Sequence, residues 1–256
     1  HALSSAQIDA QVGEWLSGGS GLYELDEVRL LAAKPDLLIT QDLCDVCAIT
    51  PAQLARLLHT LSPSPRMVTL SPHRLDDVLR DIETLGEAME REEAGRQLAA
   101  ALRRRLDAVR TTVGAEPSRP KVACLEWLAP LYSAGHWVPD MVAAAGGTDA
   151  LATAGTPSRK IEWEALAGCA PDVIVLMPCG FTVARTRAEL TAVTEHPGWQ
   201  HLPAVRRGEV YLVDALSYFS RPGPRLVDGV EQLAAILHPT CYARRLPATV
   251  ERLAMP

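Results

Sequence analysis

The sequence lacks the common signatures of catalysis. It contains no GxSxG turn, no phosphate-binding GxxxxGK[ST] loop and no HExxH zinc motif. Gly18, Gly19 and Gly21 follow a predicted helix, which is the wrong context for a dinucleotide fingerprint. Asp36 and Asp172 resemble an acid pair, but both precede predicted strands, where turn and capping residues are typical. These absences favour a binding protein over an enzyme.

Long apolar runs and concentrated positive charge are also missing. No run approaches the ~20 apolar residues that cross a bilayer, and no basic and apolar signal sequence opens the chain. The net charge is −6, with acids and bases interspersed, which disfavours binding to nucleic-acid phosphates. The six cysteines are irregularly spaced and do not indicate a disulfide scaffold. We therefore expect neither an integral membrane protein nor a nucleic-acid partner.

A long amphipathic stretch, residues 92–113, lies between two similar halves of the chain. Its apolar residues recur nearly every fourth position and arginines fill the other faces, which predicts one continuous helix. At a helical rise it would span about 33 Å, longer than a crossover helix within one α/β layer needs. This helix is predicted to act as a strut.

The flanking halves repeat one motif: residues 33–39 read AKPDLLI and residues 169–175 read CAPDVIV. In each half, short apolar strands alternate with amphipathic helices, the pattern of parallel sheets. The predicted fold is α/β, with two Rossmann-like lobes whose parallel sheets are joined by one long α-helix. The predicted boundaries are 1–91 for the first lobe, 92–114 for the linking helix and 115–256 for the second lobe.

Aromatic residues are few but clustered. The chain has five Trp, five Tyr and two Phe, and half of them follow the predicted strands 121–125, 172–177 and 210–213. Ligands bind at the carboxyl ends of parallel strands, so these loops predict a wall for a large flat ligand. The alternative is that the rings close the ends of a core. The six residues are Trp127, Tyr132, Trp137, Phe181, Tyr218 and Phe219.

Two further side-chain types fall in the same loops. Arg221 precedes the last predicted helix, where it either holds an anionic group or is solvated. Cys44 and Cys47 form a CxxC after a strand, Cys179 holds the corresponding place in the second half, and His136 lies in a neighbouring loop. Three sulfurs and an imidazole would complete a tetrahedral zinc site. The alternatives are a Cys44–Cys47 disulfide, buried thiols or a thiol enzyme, the last disfavoured because the CxxC does not open a helix.

Several of these segments together resemble a known family. They are the two PD strand starts, the long helix, residues 132–147, residues 199–214 (WQHLPAVRRGEVYLVD) and the RPGPRL start of the last helix at 221–226. They are similar to the helix-linked (class III) substrate-binding proteins of ABC importers, and most of all to the vitamin B12-binding branch. The similarity runs from about residue 22 to residue 239.

The resemblance implies a monomeric, non-enzymatic protein that clasps its ligand between two lobes and delivers it to a permease. It implies a periplasmic or extracellular, membrane-associated location and cobalamin or a related corrinoid as ligand. Haem, an iron–siderophore or a metal ion such as zinc are alternatives. The family's first strand and helix and its lipoprotein signal have no match here. The expected ligand contacts are Trp127, Tyr132, His136, Trp137, Phe181, Tyr218, Phe219 and Arg221, with Trp137 and Tyr218 in loops that face the corrin.

Overall fold

The structure is a computed structural model that describes residues 3–17, 23, 25–43, 49, 54, 61 and 64–254. Its first part contains helix α1 (Ser5–Ser17), helix α2 (Glu27–Ala33), strand β1 (Leu37–Gln41), strand β2 (Arg66–Leu70) and helix α3 (Leu75–Ala88). Strands β1 and β2 pair in parallel with Leu37 opposite Arg66, and we call this pair the first sheet. The parallel pairing confirms the alternation of strand and helix predicted for this half.

Helix α2 shows how local sequence sets these boundaries. Asp26 caps its start by accepting a hydrogen bond from the Arg29 backbone N–H at 3.0 Å. Lys34 ends the helix in a left-handed conformation, with φ of 44°. Pro35 follows directly and cannot continue a helix. The chain therefore turns sharply from α2 into β1.

The predicted strut is one uninterrupted helix, α4 (Glu92–Gly114). On one side it packs against α3 so closely that a Cβ added at Gly95 would lie 3.0 Å from the Ile82 carbonyl oxygen. On the other side Arg105 binds Asp228 at 2.5 Å and Glu231 at 3.0 Å, both on the last long helix. Helix α4 thus contacts elements that precede it and elements that follow it.

The second sheet contains seven strands: β3 (Lys121–Leu128), β4 (Leu131–Ser133), β5 (Thr148–Asp149), β6 (Arg159–Lys160), β7 (Val173–Leu176), β8 (Val210–Val213) and β9 (Val250–Arg252). The order is β6-β4-β3-β7-β8-β9, with β5 also paired to β3. Strands β3, β5, β7 and β8 run parallel. Strands β4, β6 and β9 are antiparallel to their neighbours. The prediction of a purely parallel sheet is therefore corrected to a parallel centre with antiparallel edges.

Helices cover both faces of the second sheet. They are α5 (Val138–Ala144), α6 (Trp163–Cys169), α7 (Val183–Ala188), α8 (Thr191–Thr194), α9 (Pro203–Arg206), α10 (Ala215–Tyr218) and α11 (Arg225–Leu237), with one 3-10 turn at Trp199–His201. Along β7, Val173 and Val175 join the buried cluster shared with α4, α5 and α11. Ile174 and Leu176 join a second cluster around Trp199. Alternating side chains thus enter two cores, which explains the continuous apolar run of this strand.

Two local predictions need correction. Residues 126–137 were expected to form one loop, but β3 continues to Leu128, and after the cis Ala129–Pro130 peptide the chain returns as β4. The single helix expected at 186–194 is divided into α7 and α8. Within the described part of the chain, no helix is both long enough and apolar enough to cross a membrane.

Candidate functional site

Three loops meet at the carboxyl edge of the second sheet. The Cys179 backbone N–H donates to the Glu126 carbonyl at 2.9 Å, which joins the loop after β7 to the end of β3. The Leu216 N–H donates to the Phe181 carbonyl at 3.1 Å, which joins the same loop to α10 after β8. Because β3, β7 and β8 are parallel neighbours, their ends are forced together. The convergence predicted from the strand order is therefore present.

Three of the predicted aromatic residues cluster at this edge. The rings of Trp127 and Phe181 are 5.3 Å apart between centroids and tilted by 59°. Tyr132 lies opposite Trp127 across the β3–β4 pair. The Arg185 guanidinium lies 5.0 Å from the centre of the Phe181 ring, within the range of a cation–π contact. The result is a compact aromatic group with a cation at its side.

Helix α1 packs on this aromatic group. The Trp127 indole N–H donates to the Ser5 carbonyl at 3.2 Å. Ser5 is fully buried, and its backbone N–H and hydroxyl both donate to Glu189, at 3.1 and 3.0 Å. The Tyr132 hydroxyl donates to Asp9 at 3.5 Å, and burial together with that carboxylate raises the pKa of Tyr132. A segment that precedes the strut thus contacts loops that follow it.

Trp137 and Phe219 lie elsewhere. They are 6% and 2% exposed and belong to the core cluster beneath α11. The Trp137 indole N–H donates to the Phe219 carbonyl at 2.8 Å. Tyr218 is half-buried against the same cluster, and Arg221 is exposed. The six aromatics therefore do not form one continuous wall, because the core uses two of the rings; their contact with a ligand stays a prediction.

His136 joins the two sheets through a partner that the sequence did not reveal. Its ring stacks on that of His73, which follows β2, with centroids 5.9 Å apart and planes at 27°. Its Nε2 is shielded from solvent and has no hydrogen-bond partner. Burial, and to a lesser degree His73, lower the pKa of His136, which favours the neutral imidazole. His73 was detectable only as a polar residue at the carboxyl end of a strand.

An ion pair beside the two histidines reinforces this junction. The Arg74 side chain donates twice to Asp140, at 2.6 and 2.8 Å. Asp140 also accepts the Leu75 backbone N–H at 3.2 Å, at the start of α3. The loop after β2 is therefore fixed against α5, so the carboxyl edges of the two sheets face one another.

The predicted zinc site is only partly placed. Cys44 and Cys47 lie outside the described residues. Cys179 is exposed at the carboxyl edge of the second sheet. Within the ranges that the structure describes, no group of three or more His, Cys, Asp or Glu side chains is arranged to hold a metal ion. Cys124 is fully buried, and burial raises the pKa of its thiol well above the ordinary value, as expected of a core residue.

Known proteins share this architecture. RhuT, a periplasmic haem-binding protein from Roseiflexus sp. RS-1, matches with a TM-score of 0.68 and 24% identity over 86% of this chain and 81% of its own. The periplasmic vitamin B12-binding protein BtuF of Vibrio cholerae matches with a TM-score of 0.64 and 23% identity over 88% and 82%. At these identities the likeness establishes the fold, which agrees with the predicted helix-linked arrangement of two α/β sheets.

Sequence similarity points the same way. The chain is 27% identical over 220 residues to YvrC of Bacillus subtilis (strain 168), an uncharacterised ABC transporter substrate-binding lipoprotein; the match covers 84% of this chain and 65% of YvrC. The chain thus spans just under two thirds of that relative. The family model for periplasmic binding protein matches residues 24–216, from just before α2 into α10. Because this match covers most of the chain and includes both facing sheets, the protein belongs to the periplasmic binding protein family.

Proposed function

We propose that this protein is the substrate-binding component of an ABC importer and that it binds a large metal chelate between the two sheets. The observation that carries the proposal is the junction of their carboxyl edges, where His73 meets His136 at 5.9 Å. Ligands of open parallel sheets bind at such edges. Family membership and the printed description of YvrC as a substrate-binding lipoprotein support the transport role. A binding role requires no catalytic group, in agreement with the absent signatures.

The chelate we favour is cobalamin or a related corrinoid, with haem and iron–siderophores as the alternatives. Trp127, Tyr132 and Phe181 provide aromatic surface next to the junction, and Trp127 keeps part of its surface exposed. Aromatic faces suit flat macrocycles. BtuF is described as binding vitamin B12 and RhuT as binding haem, so both macrocycles have precedents on this fold.

We also propose the division into residues 1–91, 92–114 and 115–256, with α4 as a rigid link between lobes. The support is the packing of α4 on α3 and its arginine contacts with α11. Spectroscopic distances between labels on the two lobes should then change by only a few ångströms when ligand binds. A change of the size seen in domain closure would contradict a rigid link.

The partner we propose is a membrane permease, with the protein located outside the cytoplasmic membrane and associated with it. The support is the lipoprotein description of YvrC. A pull-down with a candidate permease in detergent, with and without chelate, tests the partnership directly. Failure of the loaded protein to bind any permease encoded beside it would contradict the transport role.

The direct test of the ligand is a thermal-shift and calorimetric screen with cobalamin, cobinamide, haemin, a ferric hydroxamate and zinc. A ligand that binds only the folded state raises the unfolding midpoint. Replacing Trp127 by Ala should weaken binding by about 2 kcal/mol. The matched control is Trp15→Ala, because Trp15 is 50% exposed on α1. No heat and no tryptophan quenching at high micromolar chelate would refute the proposed function.

A further inference from the structure

The His73–His136 pair has a construction that ordinary packing does not explain. His136 is one of four non-glycine residues with positive φ, at 51°, within the residues that the structure describes. Its backbone N–H donates to the Thr156 carbonyl at 2.6 Å and its carbonyl accepts from the Gly155 N–H at 2.9 Å. These two bonds hold a strained residue in place and fix the direction of its side chain.

The imidazole itself is confined on two sides. His73 stacks on it at 5.9 Å and Trp137 lies against it at 5.8 Å. Between them, the His136 Nε2 atom has no hydrogen-bond partner and no contact with solvent. Leaving a buried polar atom unpaired costs about 1–3 kcal/mol. A group that is held at such a cost is a candidate for a bond formed only with a ligand.

The number of donors restricts which ligand can use this nitrogen. A bare zinc ion takes three or four protein ligands, and the described residues hold no group of three candidate donors. A siderophore that fills all six iron positions needs no donor from the protein. A macrocycle such as a corrin or a porphyrin supplies four equatorial nitrogens, so one imidazole can complete an axial position. A single unpaired imidazole nitrogen therefore fits a macrocyclic chelate with an exchangeable axial site.

We infer that His136 Nε2 is the axial donor to the metal of a macrocyclic chelate and that His73 covers this nitrogen until the chelate arrives. This inference rests on the proposed function. Binding is a ligand substitution: the axial water leaves the metal, the imidazole lone pair forms the new bond, and no oxidation state changes. His73 lies on the loop after β2 and His136 on the loop after β4, so displacement of one ring from the other opens the nitrogen to the space between the two sheets.

The test uses visible absorption of two probes, aquocobinamide and haemin, with dicyanocobinamide as the control whose axial positions are blocked. The wild-type protein should move the aquocobinamide and haemin bands to those of nitrogen-ligated metal and leave the bands of dicyanocobinamide unchanged. In His136→Asn the shifts should disappear and binding should weaken by about tenfold or more. Asn tolerates positive φ, so this variant keeps the backbone conformation. Circular dichroism and the unfolding midpoint verify that it folds.

The second variant is His73→Ala. It should retain the band shifts, because the donor remains, and should bind the probes faster, because the cover is gone. Equal band shifts in wild type and His136→Asn would overturn the inference while leaving the proposed function intact, as would shifts that His73→Ala abolishes and His136→Asn retains. Absence of any heat or tryptophan quenching with all three probes would overturn both. A response of one macrocycle and not the other identifies which metal the site accepts.

Discussion

Asp149 provides a quantitative test of the packing at the edge of the second sheet. Its Oδ1 accepts the backbone N–H groups of Leu151 and Ala152, both at 2.9 Å. Its Oδ2 is shielded from solvent and has no hydrogen-bond partner. Burial outweighs the two hydrogen bonds and raises the pKa of Asp149 to about 6, from the ordinary value of 3.8. The folded protein therefore binds a proton at this site more tightly than the unfolded chain.

The sign of the pH dependence follows from linkage. Below the ordinary value both states are protonated, and Asp149 contributes no pH dependence. As pH rises toward 6, the unfolded chain releases its proton first, so the free energy of unfolding falls. Above pH 6 the folded state carries the full cost of the buried charge. The shift corresponds to about 3 kcal/mol, an upper value because the carboxyl group is not completely enclosed.

The variant Asp149→Asn removes the charge and keeps an oxygen that accepts both backbone N–H groups. Its amide nitrogen replaces Oδ2 and lacks a partner, which offsets part of the gain. We expect Asp149→Asn and wild type to be similar in stability near pH 4. At pH 7.5 the variant should be the more stable protein, with the difference approaching about 1–2 kcal/mol.

Urea unfolding at several pH values between 4 and 7.5 measures this difference. Subtracting the two proteins cancels the contributions of all other titrating groups, provided the variant leaves them unchanged. Asp107→Asn is the matched control, since Asp107 is 68% exposed on α4. A difference between Asp149→Asn and wild type that stays constant across this pH range would refute the argument.

Other contacts yield shorter predictions. Gly95→Ala should destabilise the protein by about 1–3 kcal/mol in urea unfolding, because the added Cβ meets the backbone of α3 at 3.0 Å; Gly114→Ala on the same helix meets nothing within 4 Å and should not destabilise it. Trp137→Phe should cost about 1–3 kcal/mol by leaving a buried carbonyl unpaired, whereas Trp15→Phe should have little effect. Glu189→Gln should increase hydrogen exchange in the first turn of α1 but not in α11; unchanged exchange would mean that Glu189 does not hold the helix.

The long helices were predictable because they carry strong periodic patterns. Helix α3 and helix α11 begin and end where their apolar spacing, flanking prolines and caps indicated. Strand β8 was bounded correctly because its four residues are all apolar and all buried. Strands β4 and β9 have three residues each, too few to show an alternation. The antiparallel edges of the second sheet were missed for this reason.

The site was less predictable because burial depends on direction as well as on chain position. Loops rich in aromatic residues correctly indicated the carboxyl edge of the second sheet. Position alone could not separate Phe181, which lies against Trp127 at that edge, from Phe219, whose ring turns into the core. Both residues follow parallel strands within a few positions. Only packing decides which ring remains near a ligand, and packing involves residues distant in the sequence.

The contacts between the two halves were the hardest to anticipate, and they define the proposed site. Ser5 meets Glu189 across 184 positions of sequence, and Arg74 meets Asp140 across 66. Polar pairs of this kind have no periodicity, because each consists of a single residue on either side. A family resemblance can predict that two sheets face each other, but it cannot identify which side chains touch. For the same reason, His73 becomes a candidate only when its ring is seen to cover the unpaired nitrogen of His136.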